Sequence, residues 1–166
     1  VNLHGLASWG IPWGIRNGKR REAGMPKIHS SIEIKAPVKK VYDYLDNPEN
    51  APEHITNMID VRDVRGSGSG RQFKWSWKMA GMKFDGETTV TEDVPEKKLV
   101  FKSKGGIESI WTCKFEPKGD STVLDLDIDY SIPVPVLGRF AEKVLLRRNE
   151  RETKMNMENL KDRLES

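Results

Sequence analysis

Few residues in this chain are of a kind that does chemistry, and their spacing narrows the choice. His54, which follows the helical turn at Pro52-Glu53, is the histidine placed for proton transfer, whereas His29 falls at an outward strand position. No second residue is tied to His54 by a motif. Cys113 is the single cysteine, so intramolecular disulfides and cysteine-based metal clusters are excluded. With no neighbouring histidine to lower its pKa, it reads as a buried structural thiol. Asp125, Asp127 and Asp129 recur at every second position, which on a strand sets them roughly 6.5–7 Å apart. That is too spread for a compact metal site, and pairing with Lys114 and Lys35 on neighbouring strands is the expected use. Neither a metal site nor a cofactor motif emerges. Arg147, Arg148 and Arg151 interleave with Glu150 and Glu152, and Glu150 precedes Lys154 by four, as on a solvated helix face. One arginine of this group turned inward, Arg148 first among them, would meet a ligand carboxylate or phenolate.

The other chemistry is apolar. Phe73, Trp75, Trp77, Phe84, Phe101, Trp111, Phe115, Tyr130 and Phe140 fall at inward positions, with Val144 on the apolar stripe of the last helix. Such a set either packs as core or forms the wall of a site for an apolar or aromatic ligand. Tyr130, with Ser103, Thr88 and Ser109, supplies the few polar groups that would orient that ligand.

These side chains need a sheet to hold them. From Arg71 to Val90 large apolar residues alternate on both sides of a tight Ala80-Gly81 turn: Phe73, Trp75, Trp77 and Met79 on one strand, Met82, Phe84, Thr88 and Val90 on the next. Gln72, Lys74, Ser76, Lys78, Lys83, Asp85 and Glu87 fall on the opposite, water-facing side. Ile28, Ser30, Ile32 and Ile34 alternate in the same way before Ala36-Pro37, and Val38, Val41, Tyr42 and Leu45 then follow helical spacing. Asn47-Pro48 breaks that helix, Pro52–Ile55 forms another turn of helix, and Met58–Arg65 is a strand. Leu99–Lys104, Ile107–Glu116 and Thr122–Ile132 complete the strands. After Pro133 and Pro135, residues from Val136 to about Leu164 contain no proline; Leu137, Phe140, Ala141, Val144 and Leu145 form an apolar stripe at one end, and Met157, Leu160 and Leu164 one at the other. The predicted fold is α+β: strand, two short helices, six strands in an antiparallel meander, and a long helix covering the sheet, with a cavity wherever side chains do not fill the space between.

At 36% hydrophobic and 32% charged residues this is the composition of a soluble globular chain, and no apolar run approaches the roughly 18 residues that span a bilayer. Stable membrane insertion is not expected. The formal charge of +3 comes from residues 1–24, which hold Arg16, Lys19, Arg20 and Arg21 against Glu22; the remainder is formally neutral, which argues against a nucleic-acid partner. Residues 1–24, with Trp9, Trp13 and no regular pattern, read as a disordered or non-native extension, or as a short leader, ahead of one domain over residues 25–166. The cysteine usage fits a reducing, cytoplasmic setting.

The run from Ile32 through Ala36-Pro37-Val38 to Leu45 carries a resemblance, as do Gly66–Gly70 leading to Trp75, Glu92-Asp93-Val94-Pro95-Glu96-Lys97-Lys98-Leu99, and Pro135-Val136-Leu137-Gly138-Arg139-Phe140. Together they resemble the polyketide cyclase/dehydrase-like branch of the START-like (SRPBCC) superfamily, related to the birch-pollen-allergen fold and the coenzyme-Q-binding proteins. The resemblance implies a helix-grip fold with a ligand cavity between sheet and last helix, and puts His54 near the cavity mouth. Gly66–Gly70 is not a nucleotide-binding loop: no Gly-Lys-Ser/Thr follows and Arg71 leads into a strand. The superfamily hosts several functions. The expected one is binding or transport of a hydrophobic small molecule such as a lipid, isoprenoid quinone or polycyclic aromatic. The alternatives are a cyclase/dehydrase-type enzyme, with His54, Tyr130 and Arg148 as its candidate catalytic residues, and a module that binds a protein partner.

Overall fold

The computed structural model describes residues 27–79, 81–106, 108–131 and 139–166, except for the side chains of 139–143 and 145. The expectations for residues 1–26, Ala80, Ile107, the 132–138 segment and the side chains of Phe140, Ala141 and Leu145 lie outside the described residues.

Alternation makes the strands. They are β1 (Lys27–Ile34), β2 (Met58–Arg65), β3 (Gln72–Met79), β4 (Met82–Val94), β5 (Lys98–Gly105), β6 (Glu108–Lys118) and β7 (Ser121–Ser131). They form one antiparallel sheet in the order β1-β7-β6-β5-β4-β3-β2, as short turns between consecutive strands require. Helices α1 (Val38–Asp46) and α2 (Ala51–His54), joined by a 3-10 turn at Pro48–Asn50, follow β1, and α3 (Arg139–Glu165) ends the chain. At 27 residues α3 is about 40 Å long, enough to cross the sheet. The α+β helix-grip expectation is borne out.

The core lies where α1 and the C-terminal half of α3 meet β1, β5, β6 and β7. Met157, Leu160 and Leu164 pack with Val41, Leu99 and Leu124, and Leu99, Leu124 and Leu160 are almost wholly removed from water. Each such side chain contributes about 1.5–3 kcal/mol. Phe115, an expected cavity residue, belongs to this core: it meets Tyr42 edge to face at 5.7 Å. It shares the inward face of β6 with Trp111, but four residues further on, roughly 13 Å away, where α1 rather than open space covers the sheet.

Two further expectations need correction. Ser76, at an outward position, is buried because Arg62 folds over it: Arg62 Nη1 donates to Ser76 Oγ at 2.9 Å and Ser76 Oγ donates to Asp85 Oδ1 at 2.5 Å. The alternating aspartates do pair with Lys114, through Asp127 at 3.9 Å, but their other ion-pair partners among the described residues are His29 at 2.8 Å and Lys27 at 3.2 Å, not Lys35. The physical reason is register: β1 pairs Lys27 with Asp129 and His29 with Asp127, whereas Lys35 lies beyond the end of that ladder.

One polar cluster fastens the helical wall to the sheet. Arg71, at the end of the glycine-rich turn, sends Nη1 to the Asp46 carbonyl at 2.5 Å and Nη2 to the Asp46 carboxylate, with Asp93 Oδ2 3.8 Å away. Tyr42 OH donates to Asp93 Oδ1 at 2.5 Å. The guanidinium therefore caps the C-terminus of α1, where the carbonyls carry partial negative charge, and offsets two carboxylates.

Candidate functional site

Between the inner face of the sheet and the helices lies a cavity of about 180 Å³. Phe73, Trp75 and Trp77 from β3, Phe101 from β5, Trp111 from β6 and Tyr130 from β7 give it an aromatic wall, and α1, the 3-10 turn, α2 and α3 close the other side. Trp77 and Trp111 meet edge to face at 6.3 Å. Register brings these residues together: Phe101 pairs with Trp111, and Trp111 with Ile128, on neighbouring strands.

Trp75 owes its place to a glycine. Its indole lies over Gly86, where a Cβ would stand 2.2 Å from Trp75 Cζ2 and 2.8 Å from the Lys104 carbonyl oxygen. Laid flat there, the indole sends Nε1–H to Thr88 Oγ1 at 2.9 Å. Glycine is needed here for space, since Gly86 has no positive φ.

The polar groups of the sheet wall form a row. Thr88 pairs with Ser103, Ser103 with Ser109 and Ser109 with Tyr130, so four hydroxyl-bearing residues stand side by side on β4, β5, β6 and β7. Thr88 Oγ1 and Ser103 Oγ are 2.7 Å apart, and Asn149 Nδ2 of α3 donates to Tyr130 OH at 3.0 Å. Glu152 is the one charged side chain among the described residues of the lining; it accepts from Asn57 Nδ2 at 2.6 Å and Arg148 Nε at 2.8 Å.

His54 lines the cavity from α2. It is 7% exposed, its ring lies 5.7 Å from that of Tyr44, and Nδ1 has no hydrogen-bond partner among the described residues. Burial pushes its pKa down to about 4, against the weaker pull of the Asn50 backbone and the Glu53 carboxylate. The imidazole is therefore neutral at pH 7. Between pH 6.5 and 4 the unfolded chain holds more protons at this position than the folded one, so the stability contributed is complete above 6.5 and is lost as pH falls toward 4. The full loss is on the order of 3 kcal/mol. Urea denaturation across this range is expected to show wild type losing its margin over His54→Gln by about 2 kcal/mol or more; parallel curves would mean the imidazole is not held neutral. Burial likewise raises Cys113 to about 12, which leaves it a thiol.

Not every expected residue reaches the cavity. Phe84 is half-buried near the end of the hairpin, opposite Trp77, and is not in the lining. Val144 is 54% exposed, because at 100° per residue it lies about 160° around α3 from Leu160. Arg148 also turns outward, 52% exposed, to pair with Glu152. What the sequence reading missed is the inner stripe of α3: Asn149, Thr153 and Asn156 continue the spacing of Met157 and Leu160 into the cavity. The period was visible, but these residues are polar. Gly86 was missed as well, although it interrupts the inward series Phe84, Thr88, Val90. Among the described residues no cluster of three or more His, Cys, Asp or Glu side chains is arranged for a metal.

A sheet gripping a long helix over an apolar cavity is the architecture of the START-like ligand-cavity proteins. Residues 25–165 match the family described as polyketide cyclase/dehydrase and lipid transport, and the chain belongs to that family. Its fold is similar to that of a protein from Thermus thermophilus, at 20% identity and TM-score 0.72 over 84% of this chain and 97% of that one. A START superfamily protein from Mycobacterium smegmatis gives 18% identity and TM-score 0.69 over 84% and 97%. The Zhui aromatase/cyclase from a Streptomyces species gives 12% and 0.69 over 85% and 94%. At such identities the likeness bears on fold alone. Comparison with curated proteins gives no match. Family and fold together support a ligand-binding or polyketide cyclase/dehydrase-type function. No helix among the described residues is long and apolar enough to cross a membrane.

Proposed function

We propose that this protein binds a compact hydrophobic small molecule in the cavity and acts as its carrier or receptor. The observation behind this is the aromatic wall around about 180 Å³ of space. Apolar ligand surface moved there from water gains about 25 cal/mol per Å² before ordering costs. Size refines the ligand. Apolar cavities of about 150 Å³ accept a single benzene ring, and drug-sized ligands occupy roughly 300–1,000 Å³. One or two fused rings, or the ring end of a longer lipid or quinone, suit this cavity better than a whole extended chain.

Native mass spectrometry of protein purified from its own cells, followed by organic extraction, tests the reading. A retained apolar molecule is the expected result. An empty cavity, with no response of the tryptophan emission to apolar ligand libraries or lipid extracts, would remove it; an empty cavity with one stoichiometric protein partner would favour the interaction-module alternative.

A second reading, a cyclase/dehydrase-type enzyme, has one observation in its favour: the neutral imidazole of His54 on the cavity wall, whose Nδ1 has no hydrogen-bond partner among the described residues. A neutral imidazole is able to accept a proton, and positioning supplies much of the rate in such reactions. His54 and Tyr130 are then the positions to substitute, and turnover that survives both His54→Gln and Tyr130→Phe would exclude them as the acid–base pair.

A further inference from the structure

The hydroxyl row has more protons than partners. Thr88 Oγ1 accepts from the Trp75 indole and shares a single hydrogen bond with Ser103 Oγ. Two hydroxyls carry two protons, and only one of them lies between the oxygens. Whichever oxygen donates, the other keeps an O–H to give. Beside this pair, Ser109 is buried and makes no side-chain hydrogen bond among the described residues. All three residues line the cavity, so two donors remain for whatever occupies it.

The charges of the lining point the same way. Among its described residues there is no lysine or arginine, and Glu152 is negative. Arg148, the arginine expected to turn inward, faces solvent and pairs with Glu152 from outside. His54 is neutral at pH 7. An anion entering this space would lose its hydration and find no counter-charge among the described lining residues, a cost that neutral oxygens escape. A carbonyl or phenolic oxygen needs only the donors already present.

We propose that the cavity selects a neutral ring compound bearing a carbonyl or phenolic oxygen, held by the Thr88–Ser103 pair and Ser109, and discriminates against the matching carboxylate. This rests on the small-molecule-binding reading and adds to it the polarity of the ligand. It separates ketones, quinone rings and phenols, which fit, from fatty or aromatic acids in their ionised form, which do not.

Four probes of similar shape test it at pH 7: naphthalene, 1-tetralone, 1-naphthol and 1-naphthoate, titrated against the indole N–H resonances of the ¹⁵N-labelled full chain. The ketone and the phenol are expected to bind about 3- to 10-fold more tightly than naphthalene, the span of one net hydrogen bond. Naphthoate is expected to bind at least about 10-fold more weakly than naphthol. Thr88→Val/Ser103→Ala/Ser109→Ala, which removes all three hydroxyls, should erase the ketone's advantage over naphthalene, and naphthalene still shifting the indole resonances shows that the variant is folded. Ser109→Ala alone breaks no side-chain hydrogen bond among the described residues and should reduce the advantage in part. Naphthoate binding as tightly as naphthol, or an advantage that survives the triple substitution, would overturn the proposal while leaving the binding reading intact. Failure of all four probes to bind would overturn both.

Discussion

Gly86→Ala is expected to destabilise this protein by about 2–3 kcal/mol and to empty the aromatic wall, although glycine-to-alanine in a strand ordinarily gains about 0.5–1 kcal/mol. The sign reverses because of one contact. The added Cβ would stand 2.2 Å from Cζ2 and 2.6 Å from Cη2 of Trp75, and 2.8 Å from the carbonyl oxygen of Lys104. The indole must lift, and lifting it breaks the 2.9 Å bond to Thr88 Oγ1. An indole N–H left buried without a partner costs about 1–3 kcal/mol more. Trp75→Phe supplies the control, since a phenyl ring lacks the outer carbons that meet the Cβ. The double variant should therefore be more stable than the two single losses predict, by about 1 kcal/mol or more. Thermal or urea denaturation of the four proteins reads this coupling directly. Strict additivity would mean that Gly86 does not hold the indole in place.

The same residue shows where the sequence was legible. Alternation placed Phe73, Trp75, Trp77, Phe101, Trp111 and Tyr130 on one face, and the structure brings all six around one cavity, because a two-residue period survives whatever packs above it. Thr88, Ser103 and Ser109 were legible for the same reason; their alignment into a row was not, because register between strands depends on turns and bulges rather than on each strand's own pattern. Phe84 and Phe115 obey the alternation yet miss the cavity, since period two gives the face of a strand and not the position along it. Helix faces were harder. Met157, Leu160 and Leu164 marked the buried stripe of α3, but extending the apolar pattern to Val144 selected the wrong side, while the residues that do face the cavity, Asn149, Thr153 and Asn156, carry no hydrophobic signal. Arg71 left no local trace at all. Its partners are 25 and 22 positions away, and a lone arginine after a glycine-rich turn looks like any exposed cation.

That arginine carries the other large effect. Arg71→Met is expected to cost about 3–5 kcal/mol, the range for removing one partner of a buried ion pair. The Arg71 and Asp93 side chains are each 8% exposed, so neither charge is relieved by water. Without Arg71, Asp93 keeps, among the described residues, the hydrogen bond from Tyr42 alone, and the carbonyl of Asp46 at the end of α1 loses the Arg71 donor. Most of the loss is then the penalty of stranded carboxylates rather than the worth of the pair, which gives the experiment a second arm. Arg71→Met/Asp93→Asn removes the more deeply buried charge along with its partner and should recover about 1–2 kcal/mol of stability relative to Arg71→Met alone. Arg71→Lys should fall between wild type and Arg71→Met, because a single ammonium cannot reach the Asp46 carbonyl and both carboxylates as a planar fork does. The consequence reaches the cavity. The segment Arg71 anchors contributes Tyr44, Leu45, Asn47 and Pro48 to the lining, so ligand affinity should fall in the same order as stability: wild type, Arg71→Lys, Arg71→Met. Equilibrium urea denaturation, with binding measured on the same preparations, checks both orders. A methionine variant within about 1 kcal/mol of wild type would reduce the cluster to an ordinary surface ion pair.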